Sequence, residues 1–410
     1  IETIMCKQLT NYFESNNLFV KGQYGFRKGL SSVKVIEDLV SSVILGFEDG
    51  SNSLAMLCDL SKAFDCLSQE IIESKLEYYG MAGTELSLLR SYLVNRYQSV
   101  YVKGEYSTLT VISSGVPQGS VLGPLLFLIM INDLSSSISS SSILFADDTT
   151  LYSRNKDINI LYASMSNAFL EAKHWFNANS FQRNDNETQK LLFSLNNLIQ
   201  EDMTPVNLLG IIIDSKLTWQ SQIDAVCSRL ARVIHLLRHL KSLVPKCFLK
   251  NAYYAFFHSV MTYGLTVWGN GSTINKVLKL QKSAIRILTG SSYDAHCRPL
   301  FRTEGILTVI NVYIFRCLMH MKGDLHSYSS VSAIHDYPTR NNFKLDVPYL
   351  RLTKSRNWYH SIALRMFNQL PQEAYKANIA HFRKIVLHFL LNNPFYNIDE
   401  FLQMDLPILF

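Results

Sequence analysis

The sequence predicts an α+β protein: an antiparallel sheet backed by helices, then a basic helical segment, then an α-rich C-terminal region. Two segments carry the strand–turn–strand pattern of antiparallel pairs, Gln98 to Ile112 around Gly104 and Ile143 to Tyr152 around an Asp-Asp centre. Elsewhere apolar residues recur at three- and four-residue steps, most clearly in 31–49, 157–179 and 222–290.

Taken in order, residues 31–49 predict a helix. Ser31 or Ser32 caps it, Ile36, Leu39, Val40, Val43 and Phe47 form its buried stripe, and Gly50 stops it. Leu54 to Asp59 reads as a short strand that ends on a carboxylate. Ser68 caps a helix running through Tyr79 to Gly80, and Leu86 to Val94 repeats the helical pattern. After the 98–112 hairpin, Gly123-Pro124 opens the apolar run Leu125 to Ile131, a buried helix. Leu134 to Ile143 holds seven serines and reads as a flexible connector. Beyond 300 the pattern weakens, punctuated by Pro299, Pro338, Pro348 and Pro371.

A chain of 410 residues predicts two or three packed units, since single cores rarely exceed ~250–300 residues. With 48% hydrophobic residues it can bury a core, which excludes general disorder. The longest apolar stretch, Val121 to Ile131, is 11 residues and is broken by Gly123 and Pro124. A membrane span needs roughly 20, so no membrane is expected. Seven cysteines without paired spacing predict a reduced, intracellular protein. The first residue is Ile1, which predicts a piece of a longer protein.

Charge is unevenly distributed. Arg229 to Arg298 holds 11 basic residues and one acid, Asp294, a net +10; the other 340 residues hold 28 basic and 32 acidic, a net −4. Within this segment Asp224 to Lys241 forms an amphipathic helix with Val226, Leu230, Val233, Leu237 and Leu240 as its apolar stripe. Arg229, Arg232, His235, Arg238 and His239 fall on the other side, with Lys241 at the end. Such a face either lies along a phosphate backbone or is an ordinary solvated surface.

Carboxylates placed on strand ends need a positive partner, because embedding them among apolar residues is costly. Asp59 ends an apolar strand, and Asp147 and Asp148 sit at a hairpin centre. Either Asp147-Asp148 makes the turn, as Asp often does, or the three hold magnesium, which takes a few carboxylates plus water and phosphate oxygens. Ser114-Gly-Val-Pro-Gln-Gly-Ser-Val-Leu-Gly-Pro124 is the second unusual segment. Gly115 and Gly119 permit close approach of backbone to a ligand, and Gln118 offers an amide to a base or sugar. Its plain alternative is a loop leading into a buried helix.

Together these segments resemble the reverse transcriptases of non-LTR retrotransposons of the jockey-like type. Gln23-Tyr-Gly-Phe-Arg-Lys28 resembles the block before the palm, and Asp59-Leu-Ser-Lys-Ala-Phe-Asp65 the first catalytic block. Gly115-Val-Pro-Gln-Gly-Ser120 resembles the template- and nucleotide-positioning loop, and Phe145-Ala-Asp-Asp148 the signature hairpin. Leu208-Leu-Gly-Ile211, with Asp214 and Leu217-Thr-Trp219, resembles the primer-grip region. Gln281-Lys-Ser-Ala-Ile-Arg286 and Phe367-Asn-Gln-Leu-Pro371 resemble the C-terminal extension.

The resemblance implies a right-hand polymerase: residual fingers and pre-palm over 1–53, palm over 54–206, primer grip and helical thumb over 207–298, and a C-terminal extension over 299–410. It implies an RNA-directed DNA polymerase using two magnesium ions, held by Asp59, Asp147 and Asp148 with the Leu60 carbonyl. Phe64 would lie under the incoming sugar and reject a 2′-hydroxyl, or be a core aromatic, or both. Gln118 and Gly119 would contact nucleotide or template. Arg27 would meet template or triphosphate, or make a simple surface contact. Asp65 is expected to brace the helix start at Ser68. Arg229, Arg232, Arg238 and Lys241 would follow an RNA–DNA hybrid by shape and phosphate. The implied partners are an RNA template, a DNA primer at a nicked target, and deoxynucleoside triphosphates; the implied place is the nucleus. The endonuclease that makes the nick, and most of the fingers, are expected elsewhere in the element's full protein.

Some features depart from the family. At Phe181-Gln-Arg-Asn-Asp-Asn-Glu-Thr188 the family pattern is Leu-x-Leu-Asn-x-x-Lys-Thr, so Arg183 replaces an apolar residue. Glu187 replaces a lysine that the resemblance assigns to protonating the departing pyrophosphate, and Lys190 lies three residues on. These departures keep open a second reading, a catalytically dead, truncated relic that only binds nucleic acid. A magnesium nuclease is a third reading, but it has little use for a loop like Gly115–Ser120. His296, Cys297, Cys317 and His320 either form a zinc site or are core residues of an apolar helical run.

Overall fold

A four-stranded antiparallel sheet organises the first half of the chain. Its strands are β1 (Asn52–Cys58), β7 (Ser141–Phe145), β8 (Asp148–Asn155) and β10 (Gln189–Phe193), in the order β10-β1-β8-β7. The computed structural model describes residues 1–184, 188–196, 204–334 and 343–404. They fall into two compact units, Ile1–Leu39 with Gly50–Leu209 and Val40–Asp49 with Gly210–Phe410.

In the first unit the helices are α1 (Glu2–Ser15), the start of α2 (Ser32–Glu48), α3 (Gln69–Tyr78), α4 (Gly83–Leu93), α5 (Gly123–Ile131) and α6 (Ile158–Ala178). The short strands are β2 (Leu60–Ser61), β3 (Arg96–Gln98), β4 (Tyr101–Val102), β5 (Glu105–Tyr106), β6 (Thr110–Ile112), β9 (Gln182–Arg183) and β11 (Val206–Leu208). Local chemistry sets the helix boundaries: the Ser31 hydroxyl accepts from Lys34 N at 3.3 Å, Ser68 from Ile71 N at 3.4 Å, and Asp157 from Asn159 N at 2.8 Å. Every residue of α5 except Pro124 is buried, and it shares a core with Leu54, Met56, Leu151, Leu161 and Phe176. The 96–112 segment is two nested hairpins, with β3 on β6 and β4 on β5.

The serine run differs from expectation. Leu134–Ser136 is a 3-10 turn, Leu134 and Ile138 are buried, and Ser141 already belongs to β7. Several of its groups find partners: Ser135 Oγ lies 2.7 Å from Ser142 Oγ, Ser137 Oγ donates to Asp133 O at 3.0 Å, and the Ser139 backbone N donates to Glu171 at 2.6 Å, while Ser140 Oγ is buried without a hydrogen bond among the described residues. The run is therefore an ordered connection, not a flexible one.

The second unit is helical. It holds β12 (Ile211–Ile213), α7 (Gln220–Leu240), α8 (Lys246–Ala252), a π-helical turn (Tyr253–His258), α9 (Ser259–Thr262), α10 (Leu265–Trp268), α11 (Asn275–Thr289), α12 (Cys297–Glu304) and α13 (Val309–Gly323). Further helices follow, Tyr359–Phe367 and Ile379–Asn392 among them, both packed on α13. Two resembling blocks turn out to carry hydrogen-bond networks, one of them buried. Gln281, fully buried, donates to Tyr253 Oη and Leu307 O at 2.9 Å and accepts from Val309 N at 2.8 Å. Asn368 spans Leu345 in both directions at 2.8 and 3.0 Å and accepts from Tyr375 Oη at 2.9 Å. Asp214 does similar work at the start of α7, accepting from Lys216 N, Thr218 N and Trp219 N at 2.9–3.1 Å.

The buried stripe of α7 is Ile223, Val226, Leu230, Ile234 and Leu237, with steps of three and four residues. Val233 and Leu240, expected in it, are only half-buried, because Ile234 and not Val233 continues the phase set by Val226 and Leu230.

Candidate active site

The site is built where β1 and the β7–β8 hairpin end together. Cys58 pairs with Thr149 at the end of the β1–β8 ladder, so Asp59, which follows Cys58, and Asp148, which precedes Thr149, come side by side just past it. They line one cleft of about 240 Å³ with Thr149, Thr150, Gln189 and Asn207. The Phe145–Asp148 pair leaves Ala146 and Asp147 as a two-residue loop, and Ala146 takes φ +54°, a conformation L side chains rarely adopt. Burial first, then the charges of Asp147 and Asp59, push the Asp148 carboxyl up to about 6. The structure thus brings the three sequence-predicted aspartates into one electrostatic neighbourhood. Leu60, the next residue after Asp59, is buried in β2 and paired with Arg183 of β9.

Hard carboxylate oxygens that repel one another are the donor set a divalent cation suits. Among the described residues no group of three or more His, Cys, Asp or Glu side chains is arranged to hold an ion unaided. An ion that keeps several waters and takes substrate phosphates, as magnesium does, fits such an open set. The same observation overturns the zinc reading of His296, Cys297, Cys317 and His320. Cys297 and Cys317 are buried, Cys297 Sγ contacting Ala295 O at 3.5 Å, while His320 lies 5.0 Å from the Tyr359 ring.

The hairpin tip has a neighbour that explains the block at Gln23–Lys28. Tyr24 N donates to Leu144 O, and Leu144 N donates to Gly22 O, both at 2.8 Å, so this segment runs along the β7 edge. A Cβ on Gly25 would stand 2.3 Å from Ala146 N, and one on Gly22 would stand 2.5 Å from Ser142 O. Glycine is required there by contact with the hairpin that carries the aspartates. Arg27 is held within its own unit: it donates to Glu14 at 2.8 and 3.0 Å and to Gln23 O at 3.1 Å, over the Phe19 ring. This geometry supports the surface-contact alternative for Arg27 and braces the block.

Across the sheet end, the loop after β6 docks on the first catalytic block. Gly115 N donates to Leu67 O at 2.7 Å and Val116 N to Phe64 O at 3.1 Å. Gly115 has φ +84°, and a Cβ there would meet Asp65 Cα and O at 3.0 Å. Gln118 Nε2 donates to Asp65 Oδ1 at 2.9 Å. Asp65 therefore ties down this loop, and Ser68 alone supplies the side-chain cap of α3. The expected brace fails because Asp65 lies too early in the turn, where the loop's amide reaches it. Phe64 is half-buried and stacks on Phe127 at 4.7 Å, with Phe26 edge-on at 6.3 Å. Gly119 is exposed and open, with nothing within 4 Å of a Cβ.

Gln189 and Asn207 were not singled out from sequence. Asn207's outward place follows from strand alternation, since it sits between buried Val206 and Leu208, whereas β10 does not alternate and Gln189 and Lys190 are both exposed at its start. Glu187 lies outside the described residues; Lys190 is an exposed residue of β10 opposite Met56.

In the second unit the basic residues divide by role. Lys276 pairs with Asp224, Lys246 with Glu304 and Arg298 with Glu400, while Arg286 donates twice to Ala295 O. Arg229, Arg232, Arg238 and Lys241 are exposed, and among the described residues none has a side-chain hydrogen bond or ion pair. His235 and His239 share their side of α7, with ring nitrogens 3.2 Å apart.

Carboxylates at the end of an antiparallel sheet backed by helices, with a glycine-rich loop docked on the segment that follows the first of them, define the palm of a polymerase. The family model for reverse transcriptase (RNA-dependent DNA polymerase) matches residues 1–213, and the chain belongs to that family. It is 26% identical, over 75% of its length, to a probable RNA-directed DNA polymerase from transposon BS of Drosophila melanogaster, covering 37% of that protein. It is 24% identical, over 86% of its length, to the RNA-directed DNA polymerase from mobile element jockey of the same fly, covering 42% of it. The chain spans less than half the length of these relatives. A telomerase structure from Candida albicans, in complex with a TWJ fragment of telomeric RNA, aligns with a TM-score of 0.40 at 14% identity, over 74% of this chain and 56% of that one. Among the described residues no helix is long and apolar enough to cross a membrane.

Proposed function

We propose that this chain is the polymerase module of a jockey-like non-LTR retrotransposon and extends a primer 3′-hydroxyl with deoxynucleotides, copying RNA. The observation that carries this reading is the convergence of Asp59, Asp147 and Asp148, where burial and then the charges of Asp147 and Asp59 hold the Asp148 carboxyl up at about 6. In the reaction the primer 3′-oxygen bonds to the α-phosphorus as the bond to the β-phosphate breaks and pyrophosphate leaves. Asp59, Asp147 and Asp148, with the Leu60 carbonyl, would hold two magnesium ions. Bound there, magnesium supplies the charge neutralisation that activates the hydroxyl and steadies the pyrophosphate.

The remaining roles belong to the chain's own groups. Phe64, held by its stack on Phe127, limits room beneath the sugar and so selects against a 2′-hydroxyl. Gly115 lets the loop seat on Asp65, and Gln118 and Gly119 face nucleotide or template. Arg229, Arg232, Arg238 and Lys241 act as the thumb surface on hybrid phosphates. The substrates are an RNA template, a DNA primer at a nicked chromosomal target in the nucleus, and deoxynucleoside triphosphates. Primer extension on a heteropolymeric RNA tests this. Magnesium-dependent lengthening of the primer supports the reading. A folded chain that binds the hybrid and lengthens nothing would leave the nucleic-acid-binding relic in its place.

A further inference from the structure

Tyr293 is 90% exposed, in the short loop between α11 and α12. An aromatic ring so placed buries almost nothing of its own chain. The loop nevertheless holds it firmly. Ser291 N donates to Arg286 O at 3.1 Å, Ala295 N donates to Ser292 O at 3.2 Å, and the Arg286 guanidinium donates to Ala295 O at 2.9 and 3.0 Å. Thr289 Oγ1 lies 2.8 Å from Ser291 Oγ. The ring is thus presented on a braced support.

Its surroundings are cationic. The Arg286 guanidinium stands 5.8 Å from the ring centroid. α11 packs on α7, and the Lys241 ammonium comes within 3.9 Å of where a Cβ would stand on Gly290, the residue that ends α11. Lys241 closes the row of exposed cations that begins at Arg229. The single acid in Arg229 to Arg298, Asp294, is the residue after Tyr293, and Arg286 offsets its charge.

We propose that Tyr293 is a stacking platform for an unpaired base, placed where the basic track of α7 ends, so that this surface takes single-stranded nucleic acid. Phosphates follow Arg238 and Lys241, and the base that leaves the stack lies on the tyrosine ring with Arg286 beside it. Aromatic faces interleaved with cations are how proteins hold single strands without reading sequence, at ~1–3 kcal/mol per stacked base. A base inside a duplex has both faces covered and cannot stack in this way. The proposal rests on the thumb reading only for the phosphate track; the ring and its support are independent of it.

The test titrates the full chain and Tyr293→Ala with a fluorescent 12-nucleotide single strand, as RNA and as DNA, and with a blunt RNA–DNA hybrid. Tyr293→Ala should lower single-strand affinity about 5- to 100-fold and leave hybrid affinity within about twofold. Tyr293→Phe keeps the ring and should bind like the parent. Equal single-strand affinity in parent and Tyr293→Ala overturns the platform, as does an equal loss on both ligands. Hybrid binding that is absent, beside a single-strand loss in Tyr293→Ala, refutes the thumb reading and leaves the platform standing.

Discussion

Replacing Asp148 by Asn should make the chain more stable at pH 8 in the absence of divalent ions. Asp148 sits beside Asp147 and Asp59, and burial with their charges holds its carboxyl at about 6 against 3.8 for the ordinary group. The folded state therefore disfavours the ionised form. As pH falls through 6 the folded chain takes up a proton that the unfolded chain accepts only near 3.8, so this site's contribution to stability rises between about pH 7 and pH 4. A shift of two units has an upper bound of ~3 kcal/mol. Solvent still reaches the Asp148 side chain, and screening reduces that to on the order of 1 kcal/mol. For a unit of this size, that is a melting rise of ~2–4 °C. The assay is thermal melting of parent and Asp148→Asn in chelator at pH 8 and pH 4.5. The variant should melt higher at pH 8, and its lead should shrink to roughly a third by pH 4.5. Added magnesium should raise the parent at pH 8 and leave the variant unmoved. A variant that melts at or below the parent at pH 8 refutes the reasoning.

Gly25→Ala puts a methyl 2.3 Å from Ala146 N, so the hairpin tip must move; melting should show a loss of ~1–3 kcal/mol, and extension should fall more than tenfold. Asp65→Ala and Gln118→Ala break one hydrogen bond of 2.9 Å from opposite ends. Each should raise the KM for deoxynucleotide several-fold, and the double variant should add little to either. Changing Arg229, Arg232, Arg238 and Lys241 together to Ala should flatten the slope of log affinity for an RNA–DNA hybrid against log salt by up to roughly 3–4, measured by anisotropy. Parent-like salt dependence would place the phosphate contacts elsewhere.

What the sequence disclosed follows the range of the interactions involved. The stripe of α2 and the Ser68 cap are local, and both stand where periodicity and capping chemistry put them. The aspartates were legible because carboxylates next to apolar strand residues are conspicuous, although only the register of β1 on β8 shows that Asp59 meets Asp148. Partners distant in the chain were not legible. That Asp65 accepts the Gln118 amide was not visible, because the two lie 53 residues apart in the chain. Lys75 of α3 was not singled out from sequence; its ammonium donates to Met130 O and Asp133 at 2.6 Å and lies 4.7 Å from the Trp175 ring centroid. The serines of 135–142 looked like a linker because composition does not reveal a hydroxyl's partner. Gly25 could be seen as part of a motif and Gly22 could not, and the reason for both is contact with a hairpin more than a hundred residues later in the chain.

The most direct measurement is labelled deoxythymidine incorporation on poly(rA)/oligo(dT) with magnesium, using the chain beside Asp147→Asn, with hybrid binding recorded for both. Incorporation by the chain, falling about 10²-fold or more in the variant while binding is kept, is the expected result. Equal incorporation by the two proteins would contradict the assignment of the aspartates, and none by a folded, hybrid-binding chain would contradict polymerase activity in this module.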